Sequence, residues 1–493
     1  MSEGSGAGPL SDRTLYGYGL GSMAQGVAGQ ALSTSIISQF LFLVVGMPAL
    51  LVGAAIVVSQ IIDAIVDPML GLWSDRVRGP LGRRHPFMYA SAIPSAIAFY
   101  ALWHPPTAIG GTWLFAYMLV LLVVVRLFTS MYDIPSSALA PELSKDYHQR
   151  TRLFAVRTYF GTIAGGLMMV LLNVVFLRHD ATHPLGVLNR AGYAQWGTIA
   201  AVMILVSILW SSWSTHRLIP NLTVPPRRPA GVGAILAEVI GMLRNPSFLA
   251  LMVSGLVSSV ANGIAAALNP YLTLYFWGLS PQVAGLMLFA YAPAVYIGAA
   301  RARGVSSRFG KKPALIGLST ASVVVSLSPI ALRLVGAMPA NGSPWLIPVL
   351  LANNFLVVTF STMTSVIVAS MFADLADDNT VRTGARAEGL LFAMNGLIPK
   401  ISTGVGALGG SALIAMVGFP ARAQQGTVHV SVLRALGLAY LPIFAVLSAI
   451  SIAIIVFYRI DRATHEANLA RLAPNPEGSD LQAVRAIATM PRQ

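Results

Sequence analysis

Two carboxylates four residues apart, Asp63 and Asp67, lie in an apolar run from about 50 to 73. That run is long enough to cross a bilayer at ~20 residues per span. A carboxylate there costs ~2.5–3.5 kcal/mol on insertion scales, so it tends to face a protein interior or a water-filled cavity. At i and i+4 the pair stacks on one helix face, where like charges repel. A bound hard cation relieves the repulsion by taking carboxylate oxygens as ligands. A proton on one acid relieves it by removing a charge. The purely structural alternative is an acid pair capped by neighbouring helices for assembly. Gln60, one turn before Asp63, can join such a site or serve as interhelical glue.

Four more polar residues stand in apolar surroundings. Asp133 follows the run 119–125, with Pro135 and Pro141 after it, and is read either as a functional acid or as a helix-end acid. Arg126 is two turns earlier on the same face; it either pairs with Asp133 or another acid, or clamps an anionic solute bidentately. Lys400, between Pro399 and Ser402/Thr403/Gly404, sits too near mid-membrane to snorkel easily. Asn262 is a solute contact or interhelical glue, as are Asn269, Asn353, Asn354 and Asn395. Tyr275, Trp277 and Trp345 fit an interfacial aromatic belt.

The elements that must position these side chains are membrane helices. The chain has 493 residues, 55% hydrophobic and 10% charged, against ~25% charged for soluble domains. Apolar windows give about twelve spans: 16–44, 49–73, 87–104, 112–138, 154–177 and 195–213, then 247–277, 281–300, 314–336, 344–371, 386–418 and 432–458. The short polar start does not read as a cleaved signal. Without cysteine there is no disulfide and no thiolate metal site. No histidine pair has metal-ligand spacing and no nucleophile set converges, so catalysis is not expected.

Basic residues sort onto one side. Arg76, Arg83 and Arg84 follow span two, Arg150 and Arg157 follow span four, and Arg301, Lys311 and Lys312 follow span eight. The opposite loops hold only Arg178, Arg190, Arg333, Arg422 and Arg434. This positive-inside pattern predicts an inner-membrane protein with both termini cytoplasmic. It also accounts for the net charge of +14 without a nucleic-acid partner.

The proline- and arginine-rich stretch 214–246 reads as a cytoplasmic linker between two six-span halves, 1–213 and 247–458, with a polar, disordered cytoplasmic tail at 459–493. The halves echo each other: Leu81-Gly82-Arg83-Arg84-His85-Pro86 resembles Phe309-Gly310-Lys311-Lys312-Pro313. Such duplication marks transporters. In the second copy Asp63 and Asp67 fall on Tyr291 and Val295, so the acids are not part of the repeat.

Gly71-Leu72-Trp73-Ser74-Asp75-Arg76 with Gly82-Arg83-Arg84 is similar to the loop signature of the major facilitator superfamily. Asp63-Ala64-Ile65-Val66-Asp67-Pro68 then Gly71, Tyr132-Asp133-Ile134-Pro135, Ala373-Asp374-Leu375-Ala376-Asp377, and Arg386-Ala387-Glu388 with Lys400 resemble the glycoside–pentoside–hexuronide:cation symporters. The anchors run in order from Tyr16 to about Gly418. The resemblance implies an all-α twelve-helix major facilitator fold with alternating access, importing a solute with Na⁺, Li⁺ or H⁺. It implies Asp63 and Asp67 as cation ligands, Lys400 and Asp133 in coupling, and Asp133 where solute meets cation. Arg150, Arg157, Asp374, Asp377 and Arg386, with Glu388, would form a cytoplasmic gate of ion pairs. Asp75, Arg83 and Arg84 would shape the loop between spans two and three. Two family positions depart: the first-span sugar-binding aspartate falls on Ala24, and the aromatic residue four after Asp133 falls on Ser137.

The expected function is thus a cation-coupled importer of a sugar, glycoside or uronide-like solute, working as a monomer among membrane lipids, with no cofactor. The alternatives are the same coupling with an amphiphilic anion such as a lysophospholipid or steroid acid, and a non-transporting membrane sensor.

Overall fold

The computed structural model of the chain describes residues 10–144, 146–178, 186–221, 245–383, 388–424 and 426–460, with 464, 466 and 467. Most of the central linker, Arg386 and nearly all of the tail lie outside the described residues, as do the side chains of 382–399, Glu388 and Asn395 among them.

A bilayer interior offers no water to backbone amides and carbonyls, so spanning segments must satisfy them internally, as helices do. Among the described residues the regular structure is helical throughout. The first half comprises α1 (Asp12–Leu20), α2 (Ser22–Ala31), α3 (Thr34–Gln39), α4 (Ala49–Arg76), α5 (His85–Trp103), α6 (Gly111–Leu143), α7 (Tyr147–Leu171) and α8 (Arg190–His216). The second comprises α9 (Pro246–Tyr271), α10 (Pro281–Met287), α11 (Tyr291–Phe309), α12 (Lys311–Leu334), α13 (Leu346–Thr383), α14 (Glu388–Met416) and α15 (Val430–Ile455).

Among the described residues nine helical segments are long and apolar enough to span, and α1–α3 make a tenth, bent by 48° between α2 and α3. With α5 and α14 this gives twelve helical stretches in the expected order. Boundaries differ most where charge misled the hydropathy reading. Asp374 and Asp377, expected beyond span ten, are still inside the 38-residue α13. Pro135 and Pro141 do not end α6, which continues to Leu143.

The helices are apolar on every side, as membrane helices are. On α5, Phe99, Leu102 and Trp103 turn inward to Trp196 and Tyr193, while Ile93, Ile97 and Tyr100 are left on the outside. Close crossings repeat between the halves. A Cβ on Gly26 of α2 would collide with the Gly161 carbonyl of α7. A Cβ on Gly263 of α9 would collide with the Thr403 carbonyl of α14, and one on Gly406 with the Val260 carbonyl. Small residues are what let membrane helices approach this closely.

The halves meet along α4 and α14 and again at the end away from the basic loops. There Phe42, Tyr271, Tyr275 and Phe419 form a ring cluster with centroids 5.1–6.4 Å apart. The Ser38 and Tyr271 hydroxyls lie 3.3 Å apart, Gln282 donates to the Leu177 carbonyl at 2.9 Å, and Arg422 donates to the Val45 carbonyl at 2.7 Å. Tyr275, packed on Phe419 and donating to the Ala423 carbonyl, and Trp277, packed on Phe276, are buried beside this closure, which corrects their expected place in an aromatic belt; Trp345 is 70% exposed. At the basic end, each ion pair between described residues stays within one half. Among the described residues, the contacts across the halves thus gather along α4 and α14 and at the end away from the basic loops.

Candidate functional site

α4 carries Asp63 and Asp67 on one face, as the spacing requires, and turns them toward α6 and α14. Lys400 of α14 lies between them: its Nζ donates to Asp63 Oδ2 at 3.0 Å and to Asp67 Oδ2 at 2.5 Å. Ser130 of α6 donates to Asp63 Oδ1 at 3.2 Å, and Arg126 Nη1 approaches Asp63 Oδ2 at 3.8 Å. Access rises toward the basic end. The Asp63 side chain is 6% exposed, Asp67 22% and Lys400 42%.

Two groups in this cluster are unsatisfied. Asp67 Oδ1 and Arg126 Nε are buried without a hydrogen-bond partner. Arg126 Nη2 does have one, the Leu32 carbonyl at 3.3 Å, freed where α2 stops and the first span bends. So the kink and the arginine explain each other: a helix end orphans a carbonyl, and the guanidinium supplies the donor.

Asp133, one turn beyond Ser130 on α6, is held by a different cation. Arg157 of α7 donates from Nη2 to Asp133 Oδ1 at 2.7 Å and from Nη1 to Ser136 Oγ at 2.6 Å and Tyr18 OH at 3.2 Å. Tyr18 in turn donates to the Ser136 carbonyl at 2.7 Å. Arg126, expected to pair with Asp133 or another acid, approaches Asp63 rather than Asp133.

The described members of the expected gate pair within one half. Arg157 pairs with Asp133 inside the first half rather than across to α13. Arg150 donates to the Ser144 carbonyl of its own loop at 2.7 Å. Lys311 of α12 holds Asp374 at 2.6 Å, and Asn245 donates to Asp378 at 3.0 Å, both inside the second half. The cross-half pairs expected from the family are not made between described side chains, and Arg386 and the Glu388 side chain lie outside them. At the loop after α4 the expectation holds and gains a member: Arg84 lies 2.6 Å from Asp75, and Arg83 lies 2.5 Å from Glu142 of α6.

Gln60 is buried with its Oε1 facing the backbone of α14 at Gly404, next to the acid pair's helix turn rather than between the acids. Asn262 donates to the Ser258 carbonyl of its own helix at 2.9 Å and faces a separate cavity in the second half. Sequence reasoning missed Ser130, Tyr18 and Ser136. A signal for Ser130 existed: it lies four residues after Arg126 and three before Asp133, on the face they share. Among the described residues no group of three or more His, Asp or Glu assembles that could hold a metal. The arrangement is instead an ion-pair cluster: three acids (Asp63, Asp67, Asp133) against three cationic side chains (Lys400, Arg126, Arg157).

The chain is similar to known carriers over most of its length. The model of the family described as MFS/sugar transport protein matches residues 17–462. An uncharacterized symporter of Synechocystis sp. is 31% identical over 217 residues, a match covering 43% of this chain and 39% of that one. The isoprimeverose transporter of Lactiplantibacillus pentosus is 23% identical, over 87% of this chain and 86% of the relative. The sphingosine-1-phosphate transporter MFSD2B of Mus musculus is 25% identical, over 82% and 81%. In fold, the inward open conformation of the xylose transporter XylE from E. coli superposes with a TM-score of 0.56 at 14% identity, covering 93% of this chain and 98% of that one. A duplicated helical bundle, charged residues gathered at the contact of its halves, and a family match across nine-tenths of the chain lead to one conclusion: this is a multi-pass membrane transporter, not an enzyme, and it belongs to the MFS/sugar transport protein family, of the glycoside–pentoside–hexuronide:cation symporter kind.

Proposed function

We propose that the chain couples a cation, Na⁺, Li⁺ or H⁺, to import of a glycoside- or uronide-like solute across the inner membrane, with the basic loops and both termini in the cytoplasm. The observation that carries this reading is the acid pair bridged by Lys400, with Asp67 Oδ1 buried and unpartnered beside it. Asp63 and Asp67 come from the first half and Lys400 from the second. In the state described, the ammonium stands between the carboxylates, where a coupling cation would be held. Cation and lysine therefore compete for the same oxygens.

Loading the cation releases a tie between the halves, and unloading restores it. With the basic end cytoplasmic, an inward-facing state would be one in which Lys400 has replaced a departed cation at the acid pair. Solute and cation each favour the state the other favours, by equal factors, because coupling is reciprocal. Asp133 and Arg157 sit beside the acid pair on α6 and α7 as the contact between solute and cation. Gating residues, Asp374, Asp377, Arg150 and Arg386 with Glu388, would pair across the halves only in the outward-facing state. One chain holds the whole pathway, so a monomer suffices.

The test is uptake into proteoliposomes with an imposed Na⁺ or proton gradient, across a panel of glycosides and uronates. The expected result is accumulation that collapses when the gradient is dissipated. Equal uptake with and without every gradient would sink the coupling.

A second reading keeps the coupling and changes the cargo to an amphiphilic anion. Its specific support is Arg126, whose buried Nε has no partner and can donate to a phosphate or carboxylate. Similarity to a sphingosine-1-phosphate transporter points the same way. Lysolipids in the panel separate the two.

A further inference from the structure

The second half holds a half-open cavity of about 220 Å³ between α9, α12, α13 and α15. Ser258 and Asn262 line it from α9, Ser319 from α12, Thr364 from α13 and Ser448 from α15, with further serines beside them and no charged side chain. A hydroxyl in a membrane helix usually returns to a carbonyl of its own helix. Thr359, Thr362 and Ser365 on α13 do so, at 2.7–2.9 Å. Thr364 does not: its Oγ1 is buried without a partner. Ser319 and Ser448 likewise make no hydrogen bond among the described residues, although Ser448 is only 7% exposed.

The position in the first half that matches Ser319 is filled differently. Nine residues past Gly82, where Ser319 is nine past Gly310, Ser91 is fully buried and donates to its own helix at Met88, as Ser95 does to Ala92. The cavity lies level with the ion-pair cluster. Gly263, next to Asn262, rests on the Thr403 carbonyl, one turn of α14 from Lys400.

We propose that this cavity binds a single uncharged, polyhydroxylated ring, the neutral portion of the carried solute, through Ser319, Thr364 and Ser448. Each hydroxyl can both donate and accept, as sugar hydroxyls require of a partner. A charged group would enter without a counter-charge and be penalised. The volume falls below the ~300–1,000 Å³ of pockets for drug-sized ligands, which suits one ring and excludes a lipid tail. The proposal rests on reading the chain as a solute carrier, and goes beyond it in assigning the neutral end of the solute to the second half.

The test is direct binding to the full chain in lipid nanodiscs free of sugar detergents, by calorimetry. The probes are xylose, a methyl hexoside, a long-chain alkyl hexoside and glucuronate. Thr364→Val and Ser448→Ala remove single hydroxyls, and Ser448→Leu fills the cavity. Expected is binding of xylose or the methyl hexoside, weakened about two- to tenfold by each hydroxyl deletion and lost in S448L. Melting temperatures of the variants within a few degrees of wild type show that the fold is intact. A better fit of the alkyl hexoside, weakened by the same variants, assigns the ring to a glycolipid headgroup rather than a free sugar. No binding of any neutral ring, unchanged affinity in all three variants, or glucuronate responding as strongly as the neutral rings overturns the proposal. Gradient-driven uptake is measured separately, so loss of coupling with the cavity effects intact condemns the symport reading alone.

Discussion

The two halves share a helix plan and a glycine crossing but fill their interiors differently. In the first half the space among its helices holds Tyr18, Tyr132, Arg157 and Asp133, tied into one network with Ser136 and Ser211. In the second the cavity described above is lined by hydroxyls with no charged side chain, and Lys400 reaches out to the first half. Duplication thus conserves the backbone scaffold and leaves chemistry free to diverge. One half has become the ionic partner, and the other supplies a lysine and a neutral pocket.

The comparison breaks most severely if the shared scaffold is not shared in fact. Gly263→Leu and Gly26→Leu each drive a side chain into a facing carbonyl, and overpacking a tight contact costs ~1–3 kcal/mol or more. Both should reduce folded, monodisperse protein on size exclusion by roughly tenfold. If only one of them does, the crossings are not equivalent.

Next is the asymmetry of the acids. Asp67→Asn should abolish cation-dependent uptake, whereas Tyr291→Phe, at the position matching Asp63 in the second half, should leave it within about a factor of two. Gradient-driven transport in liposomes reads both. Lys400→Ala tests the tie between halves. It strands the buried Asp63 beside a distant Arg126, and breaking a buried pair costs ~3–5 kcal/mol. Because Lys400 is 42% exposed, a loss nearer ~1–3 kcal/mol is expected, visible as a lowered Tm that Lys400→Arg largely restores.

Smaller effects sharpen the picture at the end away from the basic loops. Arg422 holds a left-handed backbone, φ 55°, to reach the Val45 carbonyl across the halves. Arg422→Ala keeps the strain and loses the bond. A single cysteine placed at Ser38, in a chain that has no other, should then react with a membrane-impermeant maleimide about two- to fivefold faster. The exposed Arg152–Asp12 pair, 3.0 Å apart, is the low end of the scale. Arg152→Ala should change stability by less than ~1 kcal/mol and leave uptake unaltered.

Much of this was legible in the chain. Asp63, Asp67 and Lys400 stand out because charge in an apolar run has few structural uses, and the structure brings all three together. Spans were legible for the same hydropathic reason. What stayed hidden depends on tertiary geometry. Nothing in sequence spacing could decide that Arg126 goes to Asp63 and Arg157 to Asp133, since that follows from the bend at Leu32 and the turn of α7. The gate residues were placed by family pattern, and a pattern carries no information about which conformation the molecule is in. Tyr275 and Trp277 look like belt residues at a span end, and only tertiary packing, on Phe419 and Phe276, buries them. The cavity was invisible because scattered serines on four helices form no motif.

The balance of three acids against three cations has an electrical consequence. With all six side chains ionised the cluster carries no formal net charge, so on the proposed coupling the empty carrier would reorient without moving net charge through the bilayer. Na⁺ or H⁺ bound with a neutral solute would make the loaded carrier one charge more positive. The membrane potential would then do work on that step alone, about 2.3 kcal/mol per 100 mV for a charge crossing the full field. Voltage, inside negative, would pull the loaded form inward and leave the return unopposed, giving the cycle its direction even where the cation is equally concentrated on both sides.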